Sequence, residues 1–368
     1  MFAPVRSLTA YRPQSSPGVL ASLAMTTAIF SATPFLVPEI ARHFGIGLGL
    51  AGTVSTAQVG GFALASFVAG RTLSPSRSIL AVAAAVIMLG NAMSALAPSF
   101  GLLLMLRAVT GMAMGTVTWV GWAQGSRIEG GIAEVAAMGP VVAGFASPIL
   151  SQLTETGGIR WTYLALAGTA LIAGLIPANV VPTAPVGRTV SESRSNRVLL
   201  GALVVLTLSG SALFVFCASV GARAGLAPFA VSMAFSLNAL AGLVATRFHS
   251  RRPAMWLAVT TLAALLTGTI AQPWAFMIGM TTWGFGFWMA VPPVMRMLAE
   301  RSLRPEERMG DAQSLMAAGR MFGPALGGAV LGDDRFAALA WWSAGLMGTS
   351  AATVAVVEQR RAQSASTP

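Results

Sequence analysis

Arg107 is a cation in apolar company. The run from about 100 to 122 holds no other charged residue. If lipid surrounds that run, the charge costs at least about 2.5–3.5 kcal/mol, so it must face a cavity or a partner. Steps of three and four residues put Thr110, Gly111, Met114, Thr118 and Trp122 on its face, and Leu102, Val109 and Met112 on the opposite one. Two chemistries fit: an arginine that caps neighbouring carbonyls, or a cavity-lining cation that holds an anionic group or couples to protons. The polar, small and aromatic face favours the second. Arg320 is a second cation in an apolar run. It can snorkel, pair with Asp311 or Glu134, or act in coupling and gating, and both kinds of role stand.

A titrating group that moves between two exposures is usually a carboxylate or a histidine. Glu39 ends an apolar run after Pro38, and Glu155, Asp333 and Asp334 fall in connections. His43 and His249 also sit at connections. Glu134, about one turn into its run, is the best acidic candidate left. The single cysteine, Cys217, allows neither an internal disulfide nor a CxxC metal spacing and reads as packing. There is no phosphate loop, nucleophile elbow or pair of metal-binding histidines, so no enzyme chemistry is visible and no cofactor is expected. Aromatic residues gather at Trp119 and Trp122, and again at Trp283, Phe285, Phe287 and Trp288 beside Thr281 and Thr282.

The elements that position these residues follow from composition. The chain has 368 residues, 55% hydrophobic and 10% charged, against about 25% charge in a soluble domain. Its mean hydropathy is +0.72. Lipid is therefore its solvent. A bilayer core of about 30 Å takes about 20 helical residues. Twelve such spans fit, at roughly 18–38, 50–70, 78–97, 100–122, 132–153, 160–180, 198–218, 228–246, 254–271, 274–297, 311–331 and 335–356. The first span is longer than the apolar core of a leader peptide, which is about 7–15 residues. All 23 basic residues are arginine. With the N-terminus in the cytoplasm, 17 arginines fall in cytoplasmic segments and 4 in outer loops, with Arg107 and Arg320 inside spans. That bias fits an even number of crossings with both termini inside. The arginines punctuate apolar spans instead of lining an amphipathic face, which argues against a nucleic-acid partner.

The chain also repeats itself. Gly319 to Gly328 reads Gly-Arg-Met-Phe-Gly-Pro-Ala-Leu-Gly-Gly, a cluster of small residues around Gly323 and Pro324 that suits close helix packing in a bilayer. A shorter version stands at Gly139-Pro140 with Gly144. Pro324 and Pro140 are 184 residues apart, half the chain length. Gln58 and Asn238 are 180 apart, as are Gly168-Thr169 and Gly348-Thr349. Duplicated halves are a common plan of secondary transporters. The expected fold is all-α integral membrane, with twelve transmembrane helices in two pseudo-symmetric six-helix bundles, 1–181 and 198–368. A Ser, Thr, Pro and Arg-rich cytoplasmic linker, 182–197, joins them.

Several motifs resemble those of the major facilitator superfamily. Leu106-Arg107-Ala108-Val109-Thr110-Gly111 is similar to its span-four motif, with Thr110 where glutamine is usual. Pro34-Phe35-Leu36-Val37-Pro38-Glu39-Ile40-Ala41 resembles the span-one ending of drug and sugar efflux members. Gly139-Pro140 with Gly144 resembles the span-five antiporter motif, with Val135 and Ala143 replacing glycines; the fuller form lies in span eleven. The loop from Gly70-Arg71 to Arg77 resembles the loop between spans two and three. Its usual aspartate is absent, and Ser74 stands nearby.

The resemblance implies a central cavity lined by spans one, four, seven and ten. Here that means Thr26, Phe30, Thr33, Arg107, Thr110, Met114, Thr118, Phe214, Thr281, Phe285 and Trp288. It implies coupling or gating roles among Glu134, Arg320, Asp311, Gly139, Pro140, Gly144, Gly323 and Pro324. The expected function is a monomeric secondary carrier of the cell membrane. It would export a small, partly apolar organic compound, anionic or neutral, by alternating access, with protons as a candidate coupling ion. The rivals are an uptake porter or uniporter for a small organic anion or sugar, favoured by the missing mid-membrane acid, and a non-transporting receptor or scaffold.

Overall fold

The computed structural model describes residues 14–125, 127–128, 131–182, 194–248, 250, 252–300, 305–332 and 334–366. Side chains at 132, 133, 194, 195, 299, 300, 305–311, 313, 361, 362 and 364–366 lie outside this description, and so does most of the 182–197 linker. Every regular element among the described residues is a helix. The helices are α1 (Pro17–Phe44), α2 (Leu48–Ala51), α3 (Thr53–Thr72), α4 (Arg77–Ser94), α5 (Phe100–Gly125), α6 (Gly131–Leu175), α7 (Arg194–Phe214), α8 (Cys217–Arg223), α9 (Pro228–Ala245), α10 (Pro253–Thr269), α11 (Pro273–Glu300), α12 (Pro305–Leu331) and α13 (Phe336–Ser366). Lipid offers no hydrogen bonds, so a chain this apolar closes its backbone pairs within each segment. Proline opens α1, α9 and α10, where its missing N–H costs nothing.

Among the described residues, eight helices are long and apolar enough to cross a membrane. One of them, α6, is 45 residues long and would run about 68 Å if straight, twice the hydrocarbon thickness. It breaks at Gly158, whose φ of +63° and ψ of −165° suit glycine. Both of its ends return to the start of α1. Glu134 meets the backbone of Gln14 and Ser15, and Gly18 N–H donates to the Pro177 carbonyl at 3.2 Å. The chain therefore reverses at Gly158, between the expected spans at 132–153 and 160–180. The expected spans at 254–271, 274–297 and 311–331 coincide with α10, which is 17 residues long, and with α11 and α12.

Packing follows one scheme twice. Within residues 17–175, α3 lies on α5, α4 on α5 and α6, and α1 on α6. Within 194–366, α9 lies on α11, α10 on α11 and α13, and α7 on α12 and α13. The two most extensive pairings between the halves are α3 with α12 and α6 with α9.

The Gly319–Gly328 stretch explains how close the helices come. A Cβ on Gly319 would crowd the Val204 carbonyl oxygen at 2.5 Å, one on Gly323 would fall on Ser211 Oγ and the Leu208 oxygen, and one on Gly327 on the Ala212 oxygen. These three glycines, spaced by four, give α12 a flat face against the α7 backbone. Gly328 does the same against Gly49, across the two halves. Gly139, in the shorter copy of the motif, has nothing within 4 Å of its missing Cβ.

The two glycines therefore answer one substitution differently. Gly323→Ala is expected to cost about 1–3 kcal/mol through overpacking. Gly139→Ala is expected to be neutral or slightly stabilising, because alanine is the better helix former by about 1 kcal/mol. Thermal unfolding of the purified protein in detergent checks the ranking, and equal effects would overturn the packing account.

Candidate functional site

Arg107 sits on α5 where α3, α4 and α6 converge, and only 1% of it is exposed. Nη1 donates to Asn91 Oδ1 at 3.0 Å and to Gln58 Oε1 at 3.5 Å. Nη2 donates to Ser94 Oγ at 2.8 Å, to the Gly90 carbonyl at 3.1 Å and to Thr110 Oγ1 at 3.1 Å. The Thr110 hydroxyl donates in turn to the Leu106 carbonyl at 2.7 Å. The guanidinium carbon lies 4.6 Å from the centre of the Tyr163 ring, which gives a cation–π contact from α6. The cation is thus solvated by neutral oxygens and a ring on four helices. Its outer donors are spent, which leaves it little to offer a ligand.

A second polar group lies in the other half of the chain. A cavity of about 300 Å³ opens between α7, α9, α11, α12 and α13. Its walls are Phe214, Trp283, Phe287 and Trp288, with Phe214 edge-on to Trp283 at 5.7 Å. Thr207, Ser211 and Asn238 supply neutral polar groups. Asn238 Nδ2 donates to the Met280 carbonyl at 2.8 Å, which fixes its amide. Arg320 enters from α12 and is exposed. Among the described residues its guanidinium has no hydrogen-bond or ion-pair partner. The Ser211 hydroxyl reaches the Arg320 backbone oxygen at 3.3 Å instead. One open cation, a few neutral dipoles and four aromatic faces suit a small organic ligand.

The sequence profile of the Major Facilitator Superfamily matches residues 18–328. The chain belongs to that superfamily. Superfamily membership and fold make it a multi-pass membrane transporter, not an enzyme. Among solved structures it is similar to the POT family transporter PepTSo, at TM-score 0.74 and 12% identity over 96% of this chain and 99% of that one. It is also similar to the nucleoside transporter NupG, at TM-score 0.69 and 14% identity over 92% and 98%. A third is a POT family transporter in complex with 5-aminolevulinic acid, at TM-score 0.71 and 11% identity over 93% and 95%. These likenesses fix the fold. No curated protein matches the chain.

The residues expected from the superfamily pattern divide unevenly. Phe214 and Trp288 line the cavity, as does Arg320, which was expected in coupling or gating. Arg107 and Thr110 lie in the buried knot instead. Thr26, Thr33 and Met114 are buried, Phe30 packs edge-on against Phe62 at 5.4 Å, and Thr118 is half-buried on α5. The Thr281 hydroxyl is turned back to the Met277 carbonyl at 2.8 Å. Phe285 faces Trp256 at 5.4 Å and Phe248 at 6.0 Å, away from the cavity.

Glu134 accepts N–H bonds from Gln14 and Ser15, each at 2.9 Å, at the entrance to α1. That is a helix-start anchor at the end of a span, not a mid-membrane carboxylate. Gly144 faces Leu240 of α9, and Pro140 and Pro324 lie inside α6 and α12. The Asp311 side chain is outside the described residues. Sequence reasoning passed over Asn91, Ser94 and Tyr163 in the knot, and Thr207 and Ser211 in the cavity. Gly90-Asn91 and Ser94, polar residues one turn apart in an apolar span, were the available signal for the knot.

The two arginines should part company in stability. Arg107→Lys leaves one ammonium to serve oxygens on several helices, so a loss of roughly 3 kcal/mol is expected. Arg320→Gln should leave the melting temperature within about a degree or two of the parent, since no described partner is lost. Melting of the purified variants in detergent decides this, and a large loss at Arg320 would contradict the reading.

Proposed function

We propose that this chain is a secondary transporter of the cell membrane, with both termini cytoplasmic. Two six-helix bundles, 1–181 and 198–368, would cross the membrane twelve times and rock about the cavity. It exports a small, partly apolar organic compound by alternating access. The observation that carries the reading is how the halves meet. The repeated packing scheme exchanges partners between halves, α3 with α12 and α6 with α9, as duplicated bundles rocking about one axis require.

Contacts between the halves gather toward the end that holds the connections after α1, α8 and α12. Gly49 and Gly328 touch backbone to backbone there, Ser151 Oγ donates to the Pro228 carbonyl at 3.2 Å, and Phe35 packs edge-on against Phe235 at 5.1 Å. Arg320 lies eight residues back from Gly328, about 12 Å along α12. The cavity thus sits just inside this seal. Export is supported by the Pro34–Ala41 and Gly139–Gly144 segments, which resemble those of efflux members.

A second reading is favoured by one observation. Among the described residues no carboxylate lines the cavity, and Glu134 is engaged at a helix start. Both facts suit a uniporter or uptake porter for a small organic anion better than proton antiport. Transport that ignores an imposed pH gradient would select this reading.

Counterflow into proteoliposomes, set beside accumulation in cells with and without the protein, tests transport itself. The seal gives a sharper check. Gly328→Leu puts a side chain on the Gly49 backbone and should stop that end closing. Transport is expected to fall about tenfold or more with ligand binding retained, whereas unchanged counterflow would remove the seal from the mechanism.

A further inference from the structure

We infer that the Arg320 cavity binds a small aromatic monocarboxylate, with the guanidinium holding the anion and the aromatic walls holding the ring. Transport of that compound rests on the carrier reading above; its binding stands on the cavity alone.

The argument begins with what this chain does with a cation it uses for structure. Arg107 is sunk among five oxygen acceptors on three helices and a ring on a fourth. Arg320, on α12, is exposed to the cavity and has no partner among the described residues. A guanidinium carries five N–H donors in a planar fork, and here no protein acceptor among the described residues takes any of them. The group that fits the fork is a carboxylate, taken bidentately.

The rest of the cavity narrows the choice. Phe214, Trp283, Phe287 and Trp288 offer aromatic faces and edges to a ring. Thr207, Ser211 and Asn238 are neutral, so a second charge on the ligand meets no partner. With no carboxylate on the described walls, the ammonium of an amino acid or peptide would face Arg320 uncompensated. A sugar would leave the cation unpaired. A phosphate dianion would want a second cation. About 300 Å³ is the liquid volume of roughly ten waters and the small end of ligand cavities, which admits one or two rings.

The test uses the full chain, purified in detergent, with benzoate, indole-3-acetate and 2-naphthoate as probes beside their carboxamides. Equilibrium binding and thermal shift are the readouts. At least one acid is expected to bind about tenfold or more tightly than its amide. Arg320→Gln should erase that preference by weakening the acid and sparing the amide, and Arg320→Lys should fall between. The inference is overturned if no acid binds, if acid and amide bind alike to the parent protein, or if Arg320→Gln binds the acid as the parent does. The comparison of acid with amide needs no variant, so it survives poor folding of either one. An acid that binds through Arg320 but shows no counterflow defeats the carrier reading and leaves this one. Counterflow of another compound class that is indifferent to Arg320→Gln defeats this one and leaves the carrier.

Discussion

Helices in lipid have little reason to meet. The tails around them are as apolar as leucine, so close packing and the few polar contacts it permits must hold them together. In this chain close packing means missing side chains. Gly319, Gly323 and Gly327 let α12 lie on the α7 backbone, and Gly328 lets the same helix touch Gly49 in the other half. Gly61, Gly111 and Gly115 do likewise between α3 and α5. A Cβ at any of these positions would overlap a backbone oxygen. Everything else hangs on that approach: the depth at which Arg320 enters its cavity, and the reach of Arg107 to Gln58, Asn91 and Ser94.

The two arginines inside apolar runs are placed in opposite ways. Burying a cation without a counter-charge is tolerable when neutral dipoles replace its water, and Arg107 has them from three helices besides its ring contact. The outcome is a tie within the first half of the chain. Arg320 has no such shell among the described residues. Its guanidinium opens to the cavity instead.

The all-helical, multi-pass plan was legible in the amino-acid sequence, because apolar run length and low charge report on lipid. The reversal inside α6 was legible too, since an expected span boundary fell at Gly158. The roles of individual side chains were not. The stripe Arg107, Thr110, Met114 is real, but helical periodicity says only which residues share a face. A polar face turned toward a neighbouring helix reads the same as one turned toward a cavity, and the choice depends on Asn91, Ser94 and Tyr163 on other helices. Glu134 misled for a similar reason: a carboxylate one turn into a span is equally placed to titrate or to cap the backbone of a helix beside it. Phe214 and Trp288, expected on the cavity side, do line it, whereas Phe285, expected beside them, packs against Trp256 and Phe248.

The packing scheme that recurs in the two halves is filled differently in each. Gly111 on α5 packs against the Gln58 backbone, and Gly284 on α11 packs against the Asn238 backbone, so the two helix pairs share one frame. Shifting by the 173 residues between those glycines carries Arg107 to Met280 and Thr110 to Trp283. In the first half Gln58 accepts a bond from the Arg107 side chain. In the second half Asn238 donates to the Met280 carbonyl, because no cation stands there to be served. The helix frame is the same, but its polar filling is missing. Trp283 and Phe287 stand where the first half has Thr110 and Met114, while Met280, where the first half has Arg107, is fully buried. Trp283 and Phe287 are walls of the cavity, which Arg320 enters from α12.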